Sequence, residues 1–139
     1  MFRAFWACTC MAPISATAPG LAGAVLDGAM PAGIIADGAT VAPPLLRLAV
    51  TARPEKLFLM SNAMGGAAPD LRLDHAIARM IRDVGLAPSR AMAMATSIPA
   101  GVIGMQNSLG HLLVGRRADM VHLDADWHLS KLWWGGVTL

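Results

Sequence analysis

The sequence predicts an α/β fold, and three observations carry that prediction. Two short apolar runs, Gly33-Ile34-Ile35-Ala36 and Leu57-Phe58-Leu59-Met60, are each closed by a polar turn, Asp37-Gly38 and Ser61-Asn62. Between them Leu45, Leu46, Ala49 and Val50 recur at helical spacing. Pro43 and Pro44 stand where a helix begins, and there a missing N–H costs nothing. Strand, helix and strand in that order make a βαβ unit, with parallel strands covered on a face.

The composition sets the limits. The chain has 139 residues, enough for one domain of ordinary size. It is 55% hydrophobic and only 14% charged, more apolar than a typical domain. A small domain has proportionally more surface to cover with polar groups. The imbalance therefore suggests a piece of a larger core, a chain covered by a partner, or membrane association. The last is disfavoured, because Pro, Gly, Asp and Thr break every apolar run before spanning length. Arg3 and the small-x-small triplet Ala16-Thr17-Ala18 have the form of a secretory signal, but Pro13 and Pro19 argue for a loop leading into the fold. A net charge of +2 with scattered basic residues leaves no nucleic-acid footprint, and Arg116-Arg117 reads as a charged turn. Cys8 and Cys10 are too close in sequence for a good disulfide and read as reduced thiols of a cytoplasmic protein. With Met11 they offer soft ligands, so a small metal-binding module is a weaker alternative.

The remaining elements follow in chain order. Pro, Gly and Asp punctuate residues 1–31, with one short helix predicted over residues 21–26. Residues 65–72 form a flexible connection. A helix over 73–84 places Ala76, Ile77, Met80, Ile81 and Val84 on one face and stops at Gly85. A second helix, over 88–96, opens at Pro88-Ser89, and its Met92 and Met94 read as core packing in preference to an adaptable groove. Residues 120–123 and 128–134 read as strands joined by a turn at Asp124-Ala125-Asp126.

Several motifs together resemble the N-acetylglucosamine-6-phosphate deacetylases of the amidohydrolase superfamily. Gly33-Ile34-Ile35-Ala36-Asp37-Gly38 is similar to that family's Gly-Ile-Ile-Ala-Asp-Gly segment, and Pro19-Gly20-Leu21-Ala22-Gly23 to its Pro-Gly-Leu-x-Gly. Ser97-Ile98-Pro99-Ala100 resembles a Thr-x-Asn-Pro-Ala turn, with Ile98 where Asn would stand. The stretch from Leu109-Gly110 through Gly115, Ala118-Asp119 and Val121 to Asp124 resembles the superfamily's exit from its barrel. The resemblance implies the last strands and helices of a partial (β/α)8 TIM-type barrel over 1–108, followed by short strands of a small C-terminal β-domain over 109–139. It covers nearly all of this chain but only about the last two-fifths of such an enzyme, and the family's longer insertion at residues 65–72 is missing.

The resemblance also implies a chemistry, and this chain departs from it. In the family a zinc-like divalent metal activates water, a carboxylate moves the proton, and His, Arg and Asn hold an amino-sugar phosphate. In the same register Trp6 stands at the metal-binding His and Asn62 at the catalytic Asp. Thr9, Thr17 and Thr40 stand at the substrate-binding Asn, Arg and His. An indole N–H only donates, and an amide exchanges no proton near neutral pH. The implication is no catalytic, metal or substrate residue intact and no cofactor in this chain.

Two functions from different classes remain. One is a metal-dependent hydrolase of the acetamide of an amino-sugar phosphate, with this chain alone inactive. The other is a non-catalytic remnant or pseudoenzyme that binds a partner: a second copy or the N-terminal half of a barrel. Other groups read as structural. His122 and His128 flank Asp124 and Asp126 as a candidate metal cluster, but a polar turn explains them. Asp74-His75 sits where negative charge complements a helix dipole. Asp37 serves a turn in any case, and Ser15, Ser61 and Ser108 lack a nucleophile elbow.

Overall fold

The computed structural model describes residues 20–28, 30–38, 41–61 and 72–139. Helix α1 (Gly20–Asp27) leads into strand β1 (Ala32–Ile34), helix α2 (Pro43–Ala52) and strand β2 (Leu57–Leu59). The two strands pair in parallel, with Ala32, Gly33 and Ile34 opposite Leu57, Phe58 and Leu59. Helices α3 (Leu73–Arg82), α4 (Pro88–Ala95) and α5 (Ser97–Val102) follow. The chain ends in an antiparallel meander, β3 (Met120–Leu123), β4 (Leu129–Trp134) and β5 (Val137–Thr138).

Alternation along the strands sorts their side chains. Ala32, Ile34, Leu57 and Leu59 enter a core shared with Leu46, Ala76, Ile77, Met80, Ala91 and Met94. Met94 is fully buried, whereas Met92 is half-buried beside the core, so the methionines pack as the sequence suggests. Gly33 faces the other way. A Cβ there would stand 1.9 Å from Met60 Sδ and 3.1 Å from the Phe58 ring, so the glycine makes room for both side chains.

Turns close the helices. Helix α2 starts on Pro43 and ends where the Arg53 N–H donates to Ala49 O. The buried Arg53 guanidinium then donates to the carbonyls of Val25 and Met30, tying α2 to the segment before β1. Helix α3 ends at Arg82, two residues short of the predicted 84. Gly85 adopts a positive φ of 83°, and the Leu86 N–H reaches back to Met80 O, as in a glycine-closed helix end. The expected turn at 97–100 is instead a six-residue helix, α5. Pro99 falls within its first turn, where proline removes no helical hydrogen bond. Gly110, with φ of 87°, lies against this helix: a Cβ would meet Ser97 Cα at 2.8 Å and Thr96 O at 3.0 Å.

The meander is held by its own loops. The Asp124 carboxylate accepts the N–H groups of Asp126 and His128, each at 2.9 Å, and Trp127 takes a positive φ of 63° between them. At the far end Asp119 Oδ1 accepts from Arg117 Nε and from the Gly135 N–H, while the Arg117 guanidinium lies 4.1 Å over the Trp134 ring. Arg116 donates to Leu109 O and Gln106 O, so both arginines serve turns. Leu112, Leu113, Val114, Trp134, Val137 and Leu139 stay exposed, where much of the chain's apolar excess goes. No helix among the described residues is long and apolar enough to cross a membrane.

Two glycines separate the sources of strain. Gly85→Ala meets no atom within 4 Å and loses only the left-handed conformation, about 1–2 kcal/mol. Gly110→Ala adds a backbone clash on α5, typically about 1–3 kcal/mol more. Urea unfolding is expected to rank the variants in that order.

Candidate functional site

Parallel pairing sends the carboxyl ends of β1 and β2 the same way, and in parallel α/β folds such ends carry the site. Ala36, Asp37 and Gly38 follow β1, and Met60 and Ser61 follow β2. The Arg79 side chain covers Gly38 so closely that a Cβ there would fall 2.1 Å from its Nη1. Asp37 is half-buried and makes polar contacts of its own, as its turn role requires. A groove of about 970 Å³ runs from Met30 and Phe58 past Ser61 and Asp74 to Trp133 in the meander. Its walls are mostly apolar.

Asp74 is the ionised group this arrangement depends on. It stands in the first turn of α3 and is 8% exposed. Its Oδ2 accepts Arg72 Nη2 and the backbone N–H of Leu129, both at 2.9 Å, while Oδ1 accepts Arg72 Nε at 3.2 Å. Burial pushes its carboxyl pKa up, but the Leu129 N–H, the Arg72 guanidinium and the His75 N–H together outweigh this and hold it below the ordinary 3.8. The helix-dipole reading of Asp74 was right but incomplete, because the carboxylate also anchors the first residue of β4 to α3. Nothing local to residues 72–75 signals that bond, which spans 55 residues.

His75 and His128 meet edge to face, with ring centroids 5.4 Å apart at 83°. Among the described residues Asp74, His75 and His128 form one group whose ligating atoms lie within 4.8 Å of one another. The His122, His128, Asp124 and Asp126 cluster weighed from sequence does not converge. Asp124 is occupied by loop N–H groups, which hold its pKa down, and His122 Nδ1 pairs with Ser130 Oγ at 2.6 Å. Trp6, Thr9, Thr17, Thr40 and Asn62 lie outside the described residues, as do Cys8 and Cys10.

A parallel βαβ unit with a Gly-Ile-Ile-Ala-Asp-Gly turn and a terminal antiparallel meander defines the class. The amidohydrolase family model matches residues 10–133, and the chain belongs to the amidohydrolase family. A putative N-acetylgalactosamine-6-phosphate deacetylase of Escherichia coli (strain K12) is 30% identical over 145 residues, covering 83% of this chain and 87% of that relative. The N-acetylgalactosamine-6-phosphate deacetylase of Escherichia coli O157:H7 is equally similar over 83% of this chain, which spans only 38% of that protein. Among solved structures, the N-acetyl-D-glucosamine-6-phosphate deacetylase of Mycobacterium smegmatis matches 93% of this chain with a TM-score of 0.78 and 28% identity, over 39% of its own length. The chain thus spans about two-fifths of the longer relatives, as its motifs suggest.

The Asp74 bonds make stability depend on pH. A carboxyl held lower in the folded state than in the unfolded one stabilises the fold above about pH 3.8, and that contribution is lost as pH falls through the folded value. Asp74→Asn is expected to lose about 2 kcal/mol at pH 7 and to flatten the acid limb of the melting-temperature profile. An unchanged acid limb would assign the dependence to other groups.

Proposed function

We propose that the chain carries the C-terminal scaffold of an amino-sugar-6-phosphate deacetylase, and that this chain alone does not hydrolyse the acetamide. In this reading residues 1–108 correspond to the late strands and helices of a (β/α)8 barrel and 109–139 to a small β-domain. The supporting observation is the strand pair itself: β1 ends at Ile34, ahead of the Ala36-Asp37-Gly38 turn, and β2 ends at Leu59, three residues before Asn62 in sequence. In the motif register Asn62 stands at the family's proton-transferring Asp.

The donor chemistry does not fit the family's catalytic metal. The indole of Trp6 has no lone pair to offer, and the Asn62 amide takes up no proton from a bound water. Thr9, Thr17 and Thr40 offer hydroxyls in place of an amide, a phosphate-pairing cation and an imidazole. Relatives from both the galactosamine and the glucosamine 6-phosphate series support an N-acetylhexosamine 6-phosphate as the substrate class of the scaffold.

A partner-binding role is the second reading. It is favoured by β1 and β2 forming a two-stranded sheet among the described residues, which leaves each strand an outer edge, and by the apolar exposure around Leu112 and Trp134.

Acetate release from N-acetylglucosamine 6-phosphate and N-acetylgalactosamine 6-phosphate, with zinc present, tests the proposal. The expected result is no release by the chain or by Asn62→Asp, since one carboxylate does not restore the lost ligand positions. Metal-dependent release by Asn62→Asp would overturn it.

A further inference from the structure

We propose that Asp74, His75 and His128 form a site for a borderline divalent cation such as zinc, which clamps the β3–β4 loop to the start of α3. Two imidazoles and a carboxylate are a donor set that zinc takes. Their ligating atoms lie within 4.8 Å of one another. Tetrahedral zinc with bonds near 2.0–2.1 Å spaces its ligand atoms roughly 3.3 Å apart. Closing the site therefore asks a movement of about an ångström or more, by two side chains that are both exposed.

The backbone is already in place on both sides. Asp74 and His75 are fixed in the first turn of α3. His128 is held by its N–H to Asp124 Oδ1 and by its carbonyl, which accepts the Asp124 N–H, each at 2.9 Å. On Asp74, Oδ2 is taken by Leu129 and Arg72 and Oδ1 accepts Arg72 Nε, with the His75 N–H also on this carboxylate, so a cation binds Oδ1 in competition with these donors. Because Arg72 shares the carboxylate, the two imidazoles carry most of the affinity.

A hollow of about 440 Å³ beside the rings gives an entry path and room for water as a further ligand. Its two arginines do not present bare charge to a cation. Arg79 Nη1 lies 3.5 Å from Asp83 Oδ2, and Arg82 Nη2 lies 2.9 Å from Asp126 Oδ1. These donors come from a helix start and a hairpin loop. They are other residues than Trp6 and Asn62, the positions that the motif register matches to the family's catalytic chemistry.

The test is zinc titration of the full chain carrying Cys8→Ser and Cys10→Ser, which removes the thiols as competing ligands. Binding is read by competition with a chromophoric zinc indicator and by the melting midpoint. One equivalent should bind and raise the midpoint, because zinc then favours the folded state. His75→Gln and His128→Gln should each weaken binding at least tenfold and abolish the rise, while leaving the metal-free midpoint near that of the parent, since both side chains are exposed. His111→Gln should change neither reading. No binding by the thiol-free chain, or binding unaltered by both histidine variants, would overturn the proposal.

Discussion

The Asp74 carboxylate is the bond on which the arrangement of this molecule depends. The terminal meander exposes much of its own surface, and β3 shows no fully buried residue. Leu123 of β3 packs against the core, and the specific seating of the meander is polar: Leu129 N–H on Asp74, supported at the edge by Arg82 on Asp126. A buried carboxylate is costly unless its oxygens are satisfied, and here Arg72 and two backbone N–H groups satisfy them. The exposed Arg82–Asp126 pair contributes little by comparison. The start of α3 thus joins the βα core to the β-sheet, and the wide groove lies along that junction.

The core on the other side of α3 obeys a different constraint. Two three-residue strands give few hydrogen bonds, so their pairing rests on burial. All six strand residues are buried, and the α2, α3 and α4 side chains packed on Ile34, Leu57 and Leu59 supply the apolar contact. Gly33 is fixed by the volume of Met60 and Phe58, and Gly38 by the arginine lying on it. Two glycines of one hexapeptide are therefore explained by packing as well as by turn geometry.

Local patterns revealed the elements whose causes are local. Pro43, the apolar spacing of α2 and α3, Gly85, and the Asp124 turn all foretold what formed. The helix at Ser97–Val102 was missed because the stretch is read through its likeness to a Thr-x-Asn-Pro-Ala turn, and Pro99 is tolerated within a helix's first turn. β5 was missed because a two-residue strand after Gly135-Gly136 has no periodicity to detect. The convergence of His75 with His128 was illegible for another reason: it needs the meander's docking, and no spacing rule links positions 53 residues apart (128 − 75 = 53). The proposed roles of positions 6 and 62 rest on the motif resemblance alone, since neither Trp6 nor Asn62 announces a lost ligand by itself.

In the function proposed above, scaffold and chemistry part company in this amidohydrolase chain. Packing accounts for the glycines, the helix faces and the Asp119 and Asp124 turns, whereas in that proposal the positions matched to metal binding, substrate binding and proton transfer carry Trp, Thr and Asn. The most direct test is a thermal melt of the purified chain with and without glucosamine 6-phosphate. The account predicts one cooperative transition whose midpoint ignores the ligand. A midpoint that climbs with ligand concentration, or the absence of any cooperative transition, would contradict it.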